Sequence, residues 1–337
     1  MPQLTPMDEY FVHQIPEPLP NVAEHHDFWR ESVFFIAHPP DGLGDVIILT
    51  LAHFPKSETV DAMQLGRIGD DWIYSKYERS YDGDPHTMTA GPVTIDVAEP
   101  YQRVELHVDD TDEAAYALDL TFTARTPEYG LRRGTQKAGH ETIWDQSHML
   151  QSGWYSGSIT KGGVTTEIDS WWGQRDHSWG IRDHSRCPLW MWFAIQTEAG
   201  MFGVWHWEYP NGARIYTDGC FSPADGSAPI PVIDFDHGDL HWTGEDGSEV
   251  SYGQHGLDVR GLAGHCDLTL EGGHKIGFDA EGRWAFPYGP MGGGLSEMEF
   301  TSTEGHTGTA IYEITGAHHH KFFPVKRSPE LVLPQSH

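Results

Sequence analysis

Positive charge and cysteine are both scarce in this sequence. Its 337 residues include 21 Lys and Arg against 50 Asp and Glu, which gives a formal net charge of −29. Such a charge repels phosphate backbones and anionic lipid surfaces, so it disfavours nucleic acid and membranes as partners. The sequence has three cysteines, Cys187, Cys220 and Cys266. Their number is odd and no two of them are close in sequence, which argues against a disulfide framework or a cysteine-type zinc site. A reducing compartment fits best, and we expect the protein in the cytoplasm.

Long apolar runs and several familiar enzyme motifs are also missing. The chain contains no run of about 18 apolar residues, so no membrane span is predicted. Its first 20 residues lack the basic and apolar regions of a signal peptide. The P-loop, G-x-G-x-x-G, H-E-x-x-H and G-x-S-x-G patterns are absent, which disfavours nucleotide binding, zinc proteolysis and serine hydrolysis. We expect neither a cofactor nor a bound metal.

Strand signals dominate the sequence, and helical periodicity is scarce. The segments VELHV (104–108) and LDLTF (118–122) alternate strictly between apolar and polar residues, as half-buried strands do. LWMWFAI (189–195) and MFGVWHWEY (201–209) flank a short turn, which predicts a hairpin. Gly, Asp, Asn and Pro clusters recur along the chain, as they do in sheets that close into sandwiches or barrels. The sequence therefore predicts a mainly antiparallel β protein.

Tryptophan is abundant in the predicted strands. In LWMWFAI, Trp190 and Trp192 face one way and Met191 and Phe193 the other, so both faces are apolar. In a closed barrel one set points inward and the other packs against something outside. The aromatic residues either form a large core or line a roomy cavity for a small molecule; the 13 tryptophans favour the cavity. The candidate substrate-binding residues are Trp154, Tyr155, Trp179, Trp190, Trp192, Trp205, Trp207 and Tyr288.

The segment WGQRDHSWGIRDH (172–184) contains the tripeptide Arg-Asp-His twice. Asp and His are the groups most used for proton transfer near neutral pH, and an apolar pocket raises the pKa of a carboxylic acid so that it can donate a proton. We expect Asp176 to be the general acid, oriented by Arg175 or Arg182. His177 or His184 would handle water or the returning proton, and the indole of Trp179 could stabilise a carbocation. The catalytic candidates are Arg175, Asp176, His177, Arg182, Asp183 and His184.

Two other interpretations of this segment compete with the catalytic one. A metal site is disfavoured because Asp176 and His177 are adjacent and point to opposite faces of a strand. Gly180 predicts a break in that strand. The segment could also be a structural corner that satisfies buried backbone groups between two barrels, and this alternative stays open. The first Arg-Asp-His copy is the better candidate for chemistry, and the second is expected to brace the chain.

GQRDHSWGIRD resembles the central motif of the two-domain lipocalin-like (calycin) proteins related to carotenoid 1,2-hydratase and the AttH group. The preceding QSGWYSGSI strand and EIDSWWG approach, the following LWMWFAI strand and the late EFTSTEGHTGTAIYEIT hairpin are similar as well. The resemblance implies an all-β fold with few helices and two lipocalin-like antiparallel β-barrel domains packed side by side. The implied division is an extended N-terminal arm at 1–24, barrels at 25–185 and 186–325, and a C-terminal tail at 326–337.

Members of that family include hydratases that add water to isoprenoid double bonds and fungal pericyclases that act on polyene polyketides. The resemblance maps the acid-bearing motif onto Asp176, His177 and Trp179, but no hydratase-specific pattern extends beyond it. We therefore expect a cofactor-independent hydro-lyase or isomerase that acts on a double bond of a hydrophobic, terpenoid-like small molecule. A pericyclase acting on a polyene and a non-catalytic carrier of an apolar ligand are the alternatives. A homodimer also stays open.

Overall fold

The structure, a computed structural model, describes residues 3–13, 26–41, 45–183, 186, 189–250, 259–285, 295–315 and 320–321. Within these ranges the chain forms 21 β-strands, one short 3-10 helix at Pro6–Glu9, and no α-helix. The chain divides into two compact units, Met1–Asp183 and His184–Gln335, which we call the first and second units. The predicted all-β fold class is confirmed, with one barrel or near-barrel sheet in each unit.

Twelve antiparallel strands form the sheet of the first unit. Their bounds are β1 Trp29–His38, β2 Val46–Phe54, β3 Thr59–Ile68, β4 Asp71–Ser80, β5 Thr89–Ala90, β6 Val93–Glu99, β7 Arg103–Val108, β8 Ala117–Ala124, β9 Tyr129–Gly130, β10 Gly134–Ala138, β11 Glu141–Lys161 and β12 Val164–Arg182. The strand order is β4-β3-β2-β1-β12-β11-β8-β7-β6-β5, and β9 and β10 pair with β11. The two longest strands, β11 and β12, therefore lie in the middle of the sheet.

The sheet of the first unit curls until its two end strands come close to each other. Arg79 in β4 donates a hydrogen bond from Nε to the carbonyl oxygen of Thr89 in β5 at 2.6 Å, and another from Nη2 to that of Thr87 at 2.7 Å. The strand order nevertheless ends at β4 on one side and at β5 on the other. An arginine side chain thus joins the two ends, and the unit is a near-barrel.

The core of the first unit follows from the predicted alternation. Val104, Leu106 and Val108 in β7 are buried, and Leu118, Leu120 and Phe122 in β8 are buried with them. Full burial of one such side chain contributes about 1.5–3 kcal/mol before conformational entropy is counted. The N-terminal stretch predicted as an extended arm contains the 3-10 turn and inserts Phe11 into this core.

Nine antiparallel strands form the sheet of the second unit. They are β13 Leu189–Thr197, β14 Gly200–Glu208, β15 Arg214–Pro223, β16 Ile230–Asp236, β17 His241–Gly244, β18 Val259–Leu270, β19 Lys275–Ala285, β20 Leu295–Ser302 and β21 Thr307–Thr315. The order is β16-β15-β14-β13-β21-β20-β19-β18-β17, and an additional β16–β18 pairing closes eight of these strands into a ring. Unlike the first unit, this barrel is closed by backbone hydrogen bonds.

The predicted hairpin 189–209 is confirmed as β13 and β14, with Trp190 opposite Trp207 and Trp192 opposite Trp205. Met191 and Phe193 belong to the hydrophobic core of this unit. The tryptophans of β13 therefore point away from that core, as alternation requires. None of the helices in the described part of the chain is long and apolar enough to cross a bilayer.

His38, at the end of β1, makes the stability of the protein sensitive to acid. It is fully buried, its Nδ1 donates to the carbonyl oxygen of Pro39 at 2.9 Å, and burial lowers its pKa to about 4. Because this pKa lies below the unfolded value of about 6.5, the unfolded state binds more protons as the pH falls through that window, and stability is lost. We expect the free energy of unfolding to fall by about 3 kcal/mol between about pH 7 and about pH 4 from this residue alone.

Urea titrations of the wild type and of His38→Asn at both pH values measure this effect. The asparagine amide retains a donor for the Pro39 carbonyl but does not titrate, so the variant should lose less stability on acidification. His140→Asn, at an exposed turn, is the matched control and should behave like the wild type. Equal acid losses in the wild type and His38→Asn would contradict the assignment.

Candidate functional site

The double Arg-Asp-His segment lies in β12, whose residues alternate between two faces of the sheet. His177 is paired with Val33 of β1 and Met149 of β11, and Val33 belongs to the hydrophobic core. Arg175, His177 and Trp179 therefore point to the core side. Asp176 and Ser178 point to the opposite face, where the side chains are also buried. As alternation predicts, Asp176 and His177 are on different faces, so the motif contributes to two separate clusters.

Gly180 does not break the strand, and that prediction was wrong. It pairs with Arg30 on one side and Gln146 on the other, and β12 continues in register to Arg182. Its φ is +137°, and a Cβ at this position would lie 2.1 Å from the carbonyl oxygen of Asp145 in β11. Glycine is present because the neighbouring backbone approaches too closely for any side chain. Arg182 consequently stays on the same face as Asp176.

Substituting Gly180 with alanine is expected to destabilise the first unit. The clash with Asp145 adds to the strain of a positive φ, so we expect Gly180→Ala to lower the free energy of unfolding by about 2–4 kcal/mol. Gly162→Ala is the matched control, since its φ is +58° but no atom lies within 4 Å of the added Cβ; about 1 kcal/mol is expected there. Denaturant unfolding of both variants measures the difference. Equal losses would show that the close contact with β11 is unimportant.

The core-side cluster joins β1 and β12 to the N-terminal segment. We use the name for Asp8, Glu9, His13, Glu31, Arg175 and His177. Arg175 donates hydrogen bonds from Nη1 and Nη2 to the two carboxylate oxygens of Glu9 at 2.6 and 2.7 Å, and Gln151 Oε1 accepts from its Nε at 3.0 Å. Burial would raise the pKa of Glu9, but the charge and hydrogen bonds of Arg175, together with the backbone N–H of Tyr101, outweigh burial and lower this pKa. Arg175 is thus held by Glu9, so it does not have the predicted role of orienting Asp176.

The two histidines of the core-side cluster surround Glu31. His13 Nδ1 lies 2.5 Å from Glu31 Oε1, and His13 Nε2 lies 2.8 Å from Asp8 Oδ1. His177 Nε2 lies 3.1 Å from the same Glu31 oxygen, and its Nδ1 donates to the carbonyl oxygen of Asp8 at 2.7 Å. Burial would lower the pKa of His13, but the carboxylates of Glu31 and Asp8 raise it to about 9. Trp179 stacks on the His13 ring at 3.8 Å.

The opposite-face cluster consists of Gln146, His148, Asp176, Ser178 and Arg182. His148 Nε2 lies 3.7 Å from Asp176 Oδ1, which is within ion-pair range but too long for a direct hydrogen bond. The amide of Gln146 donates to His148 Nδ1 at 2.9 Å, so the proton of the neutral imidazole is on Nε2 and points toward Asp176. Arg182 Nη2 donates to the hydroxyl of Ser178 at 2.7 Å. This cluster keeps Asp176, Arg182 and His148 on one face.

The electrostatics of the opposite-face cluster keep His148 uncharged. Burial lowers the pKa of His148 well below its usual range, and the positive charges of Arg182 and Arg30 lower it further. Gln146 Oε1 is buried and accepts no hydrogen bond from any residue that the structure describes. A carboxyl group, a neutral imidazole and an unpaired amide oxygen therefore lie on the same face of the sheet, and groups of these kinds can exchange a proton with a ligand and bind a hydroxyl.

The aromatic candidates do not form one group. Trp179 and Tyr155 are in the core of the first unit, where Tyr155 donates to the carbonyl oxygen of Gln174 at 3.0 Å. Trp154 is 36% exposed, on the same face of the sheet as Asp176, and the Arg125 guanidinium lies 5.1 Å from its ring. In the second unit, the candidates that are buried outside the hydrophobic core cluster are Trp190, Trp192, Trp205 and Trp207.

Asp183, from the second Arg-Asp-His copy, is buried directly after β12. Its backbone N–H donates to the carbonyl oxygen of Ile143 at 3.0 Å. The bracing role of that copy stays a prediction. The two other predicted site residues, His184 and Tyr288, lie outside the described residues.

A polar cluster inside the second unit was not among the predicted sites. The carboxylate of Glu208 accepts from His206 Nε2 at 2.9 Å and lies 3.1 Å from the Nε2 atoms of both His237 and His320. Burial would raise the pKa of Glu208, but its contacts with the three histidines lower it strongly. The His206-x-Glu208 spacing on a strand puts both side chains on one face, which is a readable signal. Nothing in the sequence indicated the two distant histidines.

The described fold defines an all-β protein with one closed and one nearly closed barrel, and three solved structures are similar to it in fold. Kievitone hydratase from Nectria haematococca aligns at TM-score 0.53 and 12% identity, covering 85% of this chain and 88% of that one. An AttH-like protein from Nitrosomonas europaea aligns at TM-score 0.58 and 12% identity, covering 88% of this chain and 95% of that one. CghA aligns at TM-score 0.56 and 12% identity, covering 94% of each chain. The predicted resemblance to the AttH group is confirmed at the level of the fold.

Sequence comparison assigns the chain to one family. No curated protein matches it. Residues 4–286 match the family of unknown function DUF8625, and the protein belongs to this family. The match includes both the N-terminal segment and the whole of β12, so both clusters are within it.

Proposed function

We propose that the protein is a cofactor-independent acid–base enzyme, a hydro-lyase or isomerase that acts on a double bond of a hydrophobic, terpenoid-like small molecule. The observation that carries the proposal is the Asp176–His148 pair. Its two groups are buried on one sheet face, and at 3.7 Å they are too far apart to hydrogen-bond to each other. A ligand oxygen or a water molecule between them can hydrogen-bond to both.

In this mechanism Asp176 acts as the proton donor. Its protonated carboxyl group transfers a proton to one carbon of the double bond, and the other carbon becomes cationic. A water oxygen then forms a bond to that carbon and loses a proton to the Asp176 carboxylate, which restores the acid. Addition of one water molecule is thereby balanced, and the reverse sequence is dehydration. Transfer of a different proton from the cation to the Asp176 carboxylate gives an isomer and also restores the acid.

The other groups of the opposite-face cluster position the oxygen. The Nε2–H of His148 donates to the attacking or leaving oxygen, because Gln146 already occupies Nδ1. The free Gln146 Oε1 accepts from a substrate hydroxyl. Arg182, close enough to lower the pKa of His148, stabilises the Asp176 carboxylate after proton transfer. The name of kievitone hydratase agrees with this reaction class, although the likeness to that protein concerns the fold alone.

A test with solvent isotopes applies to any substrate of this class. The protein is incubated with a panel of isoprenoid alkenes and tertiary alcohols in deuterium oxide or in oxygen-labelled water. Mass spectrometry should detect carbon-bound deuterium or labelled hydroxyl in at least one compound, with a bell-shaped pH dependence. A compound rearranged without isotope uptake and with a flat pH profile would instead indicate the pericyclase, and one retained unchanged would indicate a carrier.

A further inference from the structure

Three buried side chains of the core-side cluster converge on one point, away from the proposed catalytic pair. His13, Glu31 and His177 each offer one ligand atom, and these atoms all lie within 4.8 Å of one another. All three side chains are at most 1% exposed. Among the residues that the structure describes, this is the one group of three or more His, Cys, Asp or Glu side chains with such convergence.

Each of the three side chains has one atom hydrogen-bonded to the N-terminal segment, and we call these the outer atoms: His13 Nε2, His177 Nδ1 and Glu31 Oε2. The inner atoms, His13 Nδ1, His177 Nε2 and Glu31 Oε1, remain as the ligands. His13 Nε2 donates to the Asp8 carboxylate, and His177 Nδ1 donates to the Asp8 carbonyl oxygen. Glu31 Oε2 accepts the backbone N–H of His13 at 3.0 Å. Carboxylate and carbonyl partners of this kind orient metal-binding histidines and fix the tautomer that presents a lone pair to the ion.

The inner atoms repel one another unless positive charge lies between them. With their outer nitrogens acting as donors, neutral His13 and His177 would each direct a lone pair at Glu31 Oε1, itself an acceptor. His177 Nε2 is buried and, despite its 3.1 Å distance from that oxygen, is not aligned for a hydrogen bond. The cluster therefore needs positive charge, which a proton on His13 supplies in the absence of a metal and which one divalent cation can supply in its place.

We propose that His13, Glu31 and His177 bind one divalent transition-metal ion of the class that prefers two imidazoles and a carboxylate, such as Zn²⁺. Imidazole nitrogens and carboxylate oxygens coordinate such ions at about 2.0–2.2 Å. No metal was expected from the sequence because His177 was paired there with its neighbour Asp176, whereas the partners come from the N-terminal segment and β1. The ion joins that segment to β1 and β12. This proposal is independent of the proposed enzyme activity.

Metal content and spectroscopy of the wild-type protein test the site without any substitution. The purified protein is stripped with a chelator, loaded with Zn²⁺ or Co²⁺ alone and dialysed. We expect one tightly held ion per chain, a rise in Tm with Zn²⁺, and an X-ray absorption spectrum with two imidazole ligands and no sulfur. A stripped protein that retains no ion after loading, with an unchanged Tm, overturns the proposal.

Substitutions then locate the ion. His177→Gln should abolish retention of Zn²⁺ after dialysis, and Asp8→Asn, which keeps all three ligands, should weaken Zn²⁺ binding by about 10–100-fold. His107→Gln is the matched control, since His107 also lies between two carboxylates, Asp109 and Asp119, but its side chain is only half-buried. If His177→Gln retained as much Zn²⁺ as the wild type, or if only His107→Gln lost Zn²⁺, the ion would be bound at the surface and the proposal would be overturned. If His177→Gln does not fold, Asp8→Asn and the wild-type spectrum decide.

Discussion

Glu9→Gln is expected to lower the free energy of unfolding of the first unit by about 3–5 kcal/mol, since it leaves the buried guanidinium of Arg175 without its charged partner. Glu9 and Arg175 are 1% and 3% exposed at their side chains, and two hydrogen bonds of 2.6 and 2.7 Å join them. The glutamine can accept only one of these bonds, and it also weakens the contact with the backbone N–H of Tyr101. Because the site is buried, solvent cannot compensate for the lost charge.

Chemical denaturation of Glu9→Gln beside Glu167→Gln separates this effect from the loss of one negative charge. Glu167 is exposed in β12, the same strand as Arg175, so its substitution should change stability by less than about 0.5 kcal/mol. The double variant Glu9→Leu/Arg175→Met removes both charges and should recover part of the loss, because a buried ion pair is seldom better than apolar packing. A loss in Glu9→Gln no larger than in Glu167→Gln would show that the pair does not anchor the segment.

Asp176→Asn is expected to lower kcat/KM by about 10²–10⁴-fold on any substrate found with the isotope panel, which is the usual contribution of a general acid. The amide has the shape of the carboxyl group but cannot donate and recover a proton. Thermal unfolding of Asp176→Asn, measured beside the kinetics, separates a loss of activity from a loss of stability. His148→Gln should retain more activity than Asp176→Asn, since it removes a positioning hydrogen bond and leaves the acid in place.

The control for this experiment is Asp169→Asn, an exposed aspartate of the same strand. It should keep wild-type kinetics and the bell-shaped pH profile. Turnover by Asp176→Asn at the wild-type rate would remove Asp176 from the mechanism. Circular dichroism at the assay temperature shows whether Asp176→Asn and His148→Gln keep their secondary structure. If they have unfolded, kinetics at a lower temperature, where the variants are folded, test the role of Asp176.

The alternation of apolar and polar residues predicted the strands well, because successive residues of a strand point to opposite faces of the sheet and burial therefore follows from the local sequence. VELHV and LDLTF alternate between apolar and polar residues, and β7 and β8 bury those apolar side chains. The hairpin 189–209 also followed from its own residues and turn. Gly180 was misjudged because its conformation is imposed by the backbone of Asp145, which is distant in sequence.

The clusters were harder to predict because their members are far apart along the chain. Arg175 and Glu9 are separated by 166 positions, and no periodicity links a Met-Asp-Glu turn to a central strand. His148 is not among the six catalytic candidates, because only the register of β11 and β12 puts it opposite Ser178, beside Asp176. Alternation correctly separated Asp176 from His177, but it could not say which residues each of them meets.

Among the described residues, the different closures of the two barrels leave the first unit with a long strand edge, β4, that another chain could pair with. The second unit contains a ring in which β16 and β18 bond to each other. In the first unit, the end strand β4 meets β5 through the Arg79 side chain. An unpaired strand edge is a template for aggregation, and charged side chains along it are the usual protection. The exposed Asp71, Lys76 and Glu78 of β4 provide that protection. Although the chain as a whole is strongly acidic, both positive and negative side chains protect this strand edge against pairing with another chain.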